Sequence, residues 1–338
     1  MIFAATSIFI FGSTCFLHII ITTRHGINFW NALFEGEIFH FYTYNLNVAF
    51  LPGYSFKCSA MYNIAEYVIF AVYDFPLWVF ESLTGIDSMG TVIGILYAKS
   101  IVILFIIGVL KQVCLIAEEI FGDKIRNDLL ALLICTSILS ITTIYAMGQY
   151  DIILTYFMLG GIHGALIDNR KKFLLNFSVA IPLKLFALLA FIPILLLKEK
   201  KILQIISNSC IVMCLYVITT LLYMKMDFVG VNTANKDQIG LIGRIFANNM
   251  QLSLEPVSIF LLTVIGIFLL CYFYKPPADL YKIIIVWICC ILFSAVCIAL
   301  PLHPQWSILV MPFMILLIVH DESKKGMLII LETVAQCV

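Results

Sequence analysis

The sequence predicts an all-α polytopic membrane protein with about nine to eleven transmembrane helices. Three observations carry that reading. The chain of 338 residues is 62% hydrophobic and only 12% charged, apolar runs recur along its length, and short polar, largely basic connections separate the runs. Runs of about 20 residues match the hydrocarbon core of a bilayer, since a helix rises about 1.5 Å per residue. A water-soluble domain is excluded by this composition. Lys+Arg and Asp+Glu both number 20, so no net charge points to nucleic acid or to an acidic partner.

The elements follow in order. Met1–Thr22 is apolar, with no basic stretch at its start and no small-residue cleavage site, and so reads as a retained span. An external loop, 23–91, follows. Its stretch Tyr62–Leu83 is apolar enough to span but carries Glu66, Asp74, Pro76 and Glu81 among Tyr67, Tyr73 and Trp78. That mixture suits a helix lying in the headgroup region better than one at the bilayer centre. Core spans within 92–201 are expected at Val92–Lys111, Leu129–Met147 and Ile152–Ile167.

Phe173–Leu197 has basic residues at both ends, so it reads as a re-entrant helical hairpin turning near Pro182 or Pro193. Ile202–Met224 precedes a second external loop, 225–255, and the segment 256–338 holds Val257–Phe273, Ile283–Leu300 and Ile308–Val319. The apolar element that opens at Gly326 stops at Val338, as in a fragment or a short family member. Ten of the eleven cysteines lie in or beside apolar runs, and only Cys58 is loop-borne; with no CxxC pair, they read as small apolar residues.

Charge sets the expected sidedness. The connections at 111–126, 170–172, 198–201, 275–282 and 324–325 hold 13 of the 20 basic residues, which places them in the cytoplasm. The same alternation puts Gly148-Gln149-Tyr150-Asp151, Pro301–Trp306 and both long loops outside, on the extracytoplasmic face of a plasma membrane.

That face collects the residues suited to chemistry. The break at Gly148-Gln149-Tyr150-Asp151 interrupts two apolar runs with a carboxylate, which costs about 2.5 to 3.5 kcal/mol at the bilayer centre and therefore concentrates at cavities and mouths. The first external loop adds Glu35 and Glu37 among aromatic and amide residues, and Asp74 follows in the interfacial segment. Transfer of a sugar from a phosphate to a hydroxyl needs one carboxylate to accept the hydroxyl proton and donors to hold the departing phosphate. Glu35 or Glu37 fits the base, with Asp74 and Asp151 as competitors; solvated loop acids are the alternative.

Lys99 and Lys184 stand inside apolar runs, where a lysine either faces a polar cavity or snorkels to the interface. Both are placed to reach a lipid-linked phosphate. His303 and Gln305, beside Trp306, close the set of substrate-binding candidates, although Trp306 also suits an aromatic belt. No GxxxxGK[ST], GxGxxG or HExxH occurs, so neither a nucleotide loop nor a zinc site is indicated. A loosely held divalent cation remains compatible with the sequence. No inverted repeat of the secondary-transporter kind is visible.

Together these residues resemble the GT-C superfamily of polyprenyl-phosphate-sugar-dependent integral membrane glycosyltransferases, in particular bacterial relatives of the GPI-anchor mannosyltransferases. Gly148-Gln149-Tyr150-Asp151 is similar to that group's W-G-Q-x-D motif, with Met147 in place of the tryptophan. Lys99, the Pro-Leu-Lys ending at Lys184, and His303-Pro304-Gln305 ahead of Pro312 follow in similar order over most of the chain.

The resemblance implies a GT-C-like fold and transfer of a hexose, mannose-like, from a polyprenyl-phosphate donor to a glycan, lipid or protein acceptor. It implies Glu35, Glu37 or Asp151 as the catalytic group and Gln149, Asp74, Lys184, Lys99, His303 and Gln305 as binding residues. One departure stands out. The family commonly carries an acid directly after the first span, where this chain has Arg24, His25 and Asn28. Either a later glutamate serves, or the base is displaced, or this member does not catalyse. The rival readings are a lipid-linked polysaccharide transporter or polymerase-type envelope protein, and a non-catalytic membrane scaffold.

Overall fold

The structure is a computed structural model and describes residues 17–46, 48–49, 57–122, 127–137, 140–146, 148–234, 249–252, 255–299 and 304–320. Most of the expected first span lies outside these residues, as do Cys15, Met147, Lys236, Arg244, His303, Lys324, Lys325, Cys337 and the segment 326–338.

Among the described residues eleven longer helices carry the architecture: α1 Leu17–Phe34, α2 Ile64–Thr84, α3 Val92–Phe121, α4 Asn127–Thr136, α5 Asp151–Leu166, α6 Arg170–Leu183, α7 Leu188–Lys198, α8 Ile202–Met226, α9 Ile259–Phe273, α10 Ala278–Ala299 and α11 Met311–His320. Two antiparallel ribbons, Val48–Ala49 with Lys57–Cys58 and Asn249–Leu252 with Glu255–Ser258, are the strands among the described residues. Among the described residues three helical stretches are long and apolar enough to cross a membrane: Val92–Phe121, Ile202–Met226 and Ala278–Ile298. In α8 only 11% of the apolar window is buried, so most of its apolar side chains face outward, as lipid contact requires. The protein is a helical, multi-pass membrane protein.

Local chemistry places the helix ends. Asn63 caps α2 by accepting from the Ala65 N–H, and Gly85, at φ +67°, ends it in a left-handed conformation that glycine adopts without strain. Thr91 caps α3, Asn169 caps α6 and Ser258 caps α9 in the same way. Helix α5 is the centre of the bundle. Fourteen of its 16 residues are buried, and it carries no single apolar face because every side meets protein. Its glycines admit α6: a Cβ on Gly161 would stand 2.6 Å from the Phe177 ring, and one on Gly164 would stand 2.6 Å from the Phe173 nitrogen.

Several boundaries move from the sequence reading. Helix α1 continues through Thr23 to Phe34, so the start of the first external loop is helical. Helix α3 runs 30 residues and carries Lys111 within it, where a loop was expected. The expected span Leu129–Met147 is instead α4 followed by a π-helical turn, Ile141–Ala146. Ser137 and Ser140 stand at that junction, where their hydroxyls and the Ser140 N–H bond locally and compete with the helical ladder.

Helix α2 forms where the interfacial helix was expected, but with its polarity turned inward. Glu66, Tyr67, Phe70, Asp74 and Leu77 are buried, whereas Val72, Phe75, Phe80 and Leu83 face out. Arg24 of α1 pins its far end, meeting both oxygens of Glu81 at 3.0 and 3.1 Å and also pairing with Asp87.

The chain between Arg170 and Lys198 is a helical hairpin. The Lys184 backbone is extended between α6 and α7, two residues past Pro182, whose missing N–H weakens the helical ladder there. Lys198 Nζ returns to the start of α6, donating to Asp168 Oδ1 at 2.7 Å and Ala165 O at 3.0 Å, and Phe191 stacks on Phe173 at 5.3 Å.

Contacts also gather the basic connections at one end. Lys200 donates to Cys271 O and Tyr274 O, Lys282 to Glu119, and Lys172 Nζ meets His163 Nδ1 at 2.7 Å. Asp151 and His163 lie near opposite ends of α5, so the GQYD break stands at the other end of the molecule.

Candidate functional site

The break is built by backbone geometry. Gly148 takes φ +60°, which an L side chain resists, and its N–H donates to Ile144 O at 3.2 Å. The Gln149 N–H donates to Thr143 O at 2.9 Å, so the π-helical turn and the break form one rigid unit. Asp151 then opens α5 at its first turn, where the free N–H groups and the helix dipole favour a carboxylate.

Lys184, held by the α6–α7 break, forms an ion pair with Asp151 Oδ1; 11% of the lysine side chain and 1% of the aspartate side chain is exposed. Three rings enclose the ammonium. Its Nζ lies 5.0 Å from the Tyr62 ring centre, 5.4 Å from Tyr150 and 6.0 Å from Trp306, a cation–π box that holds the positive charge alongside the Asp151 oxygen.

A narrow cleft opens beside this pair, lined by Glu66, Ile69, Tyr150, Asp151, Ile153, Leu154, Leu183 and Lys184. It has room for about one water-sized group. Two carboxylate oxygens in its wall, Glu66 Oε1 and Asp151 Oδ2, are buried and have no hydrogen-bond partner. Unsatisfied buried acceptors of this kind are expensive in a packed interior and mark a place where something binds or titrates. Helix α2 is not among the described helices long and apolar enough to cross a membrane, and its Glu66 is pushed up to about 8 by burial, with Lys184 opposing and Asp151 reinforcing the shift. Near neutral pH Glu66 holds a proton.

Of the residues expected from sequence, Asp151 and Lys184 meet directly. Gln149 is buried next to them in the chain, its backbone engaged as above. Lys99 is fully buried in α3 and does not line the cleft. Asp74 is also fully buried, packed against the Cα of Gly26 with Thr23 close by; neither its two oxygens nor the Thr23 hydroxyl completes a hydrogen bond. Burial pushes the Asp74 carboxyl well above the usual range. Glu35 and Glu37 are exposed at the end of α1, Glu35 accepting from Tyr44 at 3.2 Å, and neither lines the cleft. His303 lies outside the described residues; Gln305 falls in the 3-10 turn Pro304–Leu309 that carries Trp306 to the site.

Glu66 and Tyr62 are the site residues that sequence reasoning passed over. Asn63-Ile64-Ala65-Glu66 has the spacing of a helix capping box, which explains a glutamate at that position without any site. The signal that could have found it is its spacing with Phe70, Asp74 and Leu77, which puts an acid on the buried face of an apolar helix. Among the described residues no group of three or more His, Cys, Asp or Glu is arranged to hold a metal ion. No protein-family model matches the chain, and no curated protein or solved structure matches it significantly.

Proposed function

We propose that the protein is a GT-C-like membrane glycosyltransferase, with about nine to eleven spans and a re-entrant α6–α7 hairpin. It transfers a hexose from a polyprenyl-phosphate donor to an acceptor glycan, lipid or protein at the extracytoplasmic face of the plasma membrane. The observation that carries this reading is the convergence of Lys184, Asp151 and Glu66 on one cleft at the end opposite the basic connections.

The chemistry follows from those groups. The acceptor oxygen attacks the anomeric carbon, the bond from that carbon to the phosphate oxygen breaks, and the configuration inverts by direct displacement. The hydroxyl proton passes to the cleft carboxylate Asp151, beside the protonated Glu66, and Lys184 holds the charge that grows on the leaving phosphate. Glu35 and Glu37, being exposed and outside the cleft, are poorer bases than the sequence alone implies. The membrane lipids supply the phase in which the donor is presented.

Purified protein in vesicles containing a radiolabelled polyprenyl-phosphate hexose tests the reading. Transfer to glycan or lipid acceptors is expected, with Lys184→Met losing at least about 100-fold, as for loss of one charge-stabilising donor. Transfer unchanged in Lys184→Met sinks it. A lipid-linked glycan transporter is the second reading, favoured by the fully buried Lys99. It predicts label crossing the bilayer with no new glycosidic bond in the same assay.

A further inference from the structure

We infer that the Lys184–Asp151 pair is a latch that an incoming phosphate opens, and that Glu66, in the same cleft wall, keeps a proton when it does. This rests on the proposed site for a phosphate-bearing donor, but not on sugar transfer itself.

Three observations carry it. The cleft has room for about one water-sized group while the pair is closed, so a phosphate reaches the lysine only if the pair parts. The lysine is held on its other sides by the faces of Tyr62, Tyr150 and Trp306, which keep a cation in place without satisfying its donors. An anion can therefore take over the lysine's hydrogen bond to Asp151, the one acid that pairs with it among the described residues. Finally, Glu66 and Asp151 each present a buried, unpartnered oxygen to the same cleft.

The groups facing Glu66 define what happens next. They are Lys184 at the α6–α7 break, Asp151 and Tyr150 at the head of α5, Tyr67 on its own helix, Tyr62 just before that helix, and Tyr42 from the loop after α1. With the latch closed, Lys184 offsets the charge of Asp151, and Glu66 keeps its own proton. Once a phosphate neutralises Lys184, the one cation that opposed the shift of Glu66 is lost and a further negative charge enters the cleft, so Glu66 holds its proton more firmly. Binding of the anion and retention of the proton favour each other, and that coupling is reciprocal.

Calorimetric titration with farnesyl phosphate in detergent, in two buffers of different ionisation enthalpy, reads the coupling directly. With the resting group near 8, titration at pH 8.5 is expected to take up roughly 0.5 to 0.75 proton per phosphate bound; at pH 6 parent and Glu66→Gln are expected to exchange the same protons, because Glu66 is already protonated and the phosphate's own second ionisation, at about 6, contributes equally to both. Glu66→Gln, which mimics the protonated acid with little change of shape, is expected to bind several-fold more tightly than the parent at pH 8.5 with no uptake. Lys184→Met is expected to lose binding and Lys184→Arg to keep it. An inorganic phosphate arm separates headgroup chemistry from the lipid chain: the same uptake at lower affinity locates the coupling in the phosphate.

At pH 8.5, equal uptake by the parent and Glu66→Gln, no uptake by the parent, or no binding of farnesyl phosphate to the parent each overturns the latch. Sugar transfer without proton uptake leaves the proposed function standing and removes the latch. Uptake without sugar transfer does the reverse.

Discussion

At the scale of single residues, Asp151 and Lys184 hold each other in a site that either would find costly alone. A buried charge stripped of its partner costs about 3 to 5 kcal/mol, whereas replacing both members of a pair costs far less. Asp151→Asn and Lys184→Met are therefore each expected to lower the thermal midpoint in detergent sharply, with the double variant recovering most of the loss. Additive losses in that cycle would show that the pair does not couple.

Glu66 makes a second prediction at this scale. Its carboxyl titrates near 8 in the folded protein against 4.5 for an ordinary glutamate, so the native state binds the extra proton between those values. Stability contributed by that proton is present at the acid end and falls as pH rises from about 4.5 to about 8, and Glu66→Gln removes the fall. Thermal melts of parent and variant from pH 5 to 9 check the sign; a parallel pair of curves contradicts it.

At the scale of elements, the site depends on where helices begin and break. Gly148 sets the turn that aims Asp151, Pro182 and the extended Lys184 set the hairpin, and Asn63 starts α2 three residues before Glu66. The glycine face of α5 lets α6 approach closely enough for its end to deliver the lysine. Gly161→Val would drive a side chain into Phe177, at a cost of about 1 to 3 kcal/mol from overpacking. Its expected signature is a lower thermal midpoint together with weaker farnesyl phosphate binding, because the displaced α6 carries Lys184 away from Asp151. A fallen midpoint with unchanged binding would detach the glycine face from the site.

At the scale of the whole molecule, the two ends differ in charge and in chemistry. Lys200, Lys282, Lys172 and Lys198 reach across loops at one end, and the cleft lies at the other. Sidedness is checked by single cysteines scored against the parent. In right-side-out vesicles, Gly85→Cys is expected to react with an impermeant maleimide, and Lys171→Cys only after the membrane is opened. The reverse pattern would invert the orientation proposed from the positive connections.

Much of this was legible in the order of the residues, for physical reasons. Apolar length and polar interruption are local properties, so the long helices, the GQYD break and the hairpin between Arg170 and Lys198 could be read directly from hydropathy and charge. Helix boundaries such as the run of α3 to Phe121 and of α1 to Phe34 were less legible, because packing extends helices through residues whose own preference is weak.

The choice among acids was not legible at all. Glu35, Glu37, Asp74 and Glu66 differ little as letters, and only burial separates them: the first two end up in the open, Asp74 goes under Gly26, and Glu66 enters the cleft beside Lys184. The sequence by itself determined that this chain is a helical membrane protein with a carboxylate at a polar break. Tertiary structure decided which lysine meets that carboxylate and which glutamate stands beside it. A pairing across 33 residues, or a burial that moves an acid to about 8, is set by what surrounds a side chain and not by its neighbours along the chain.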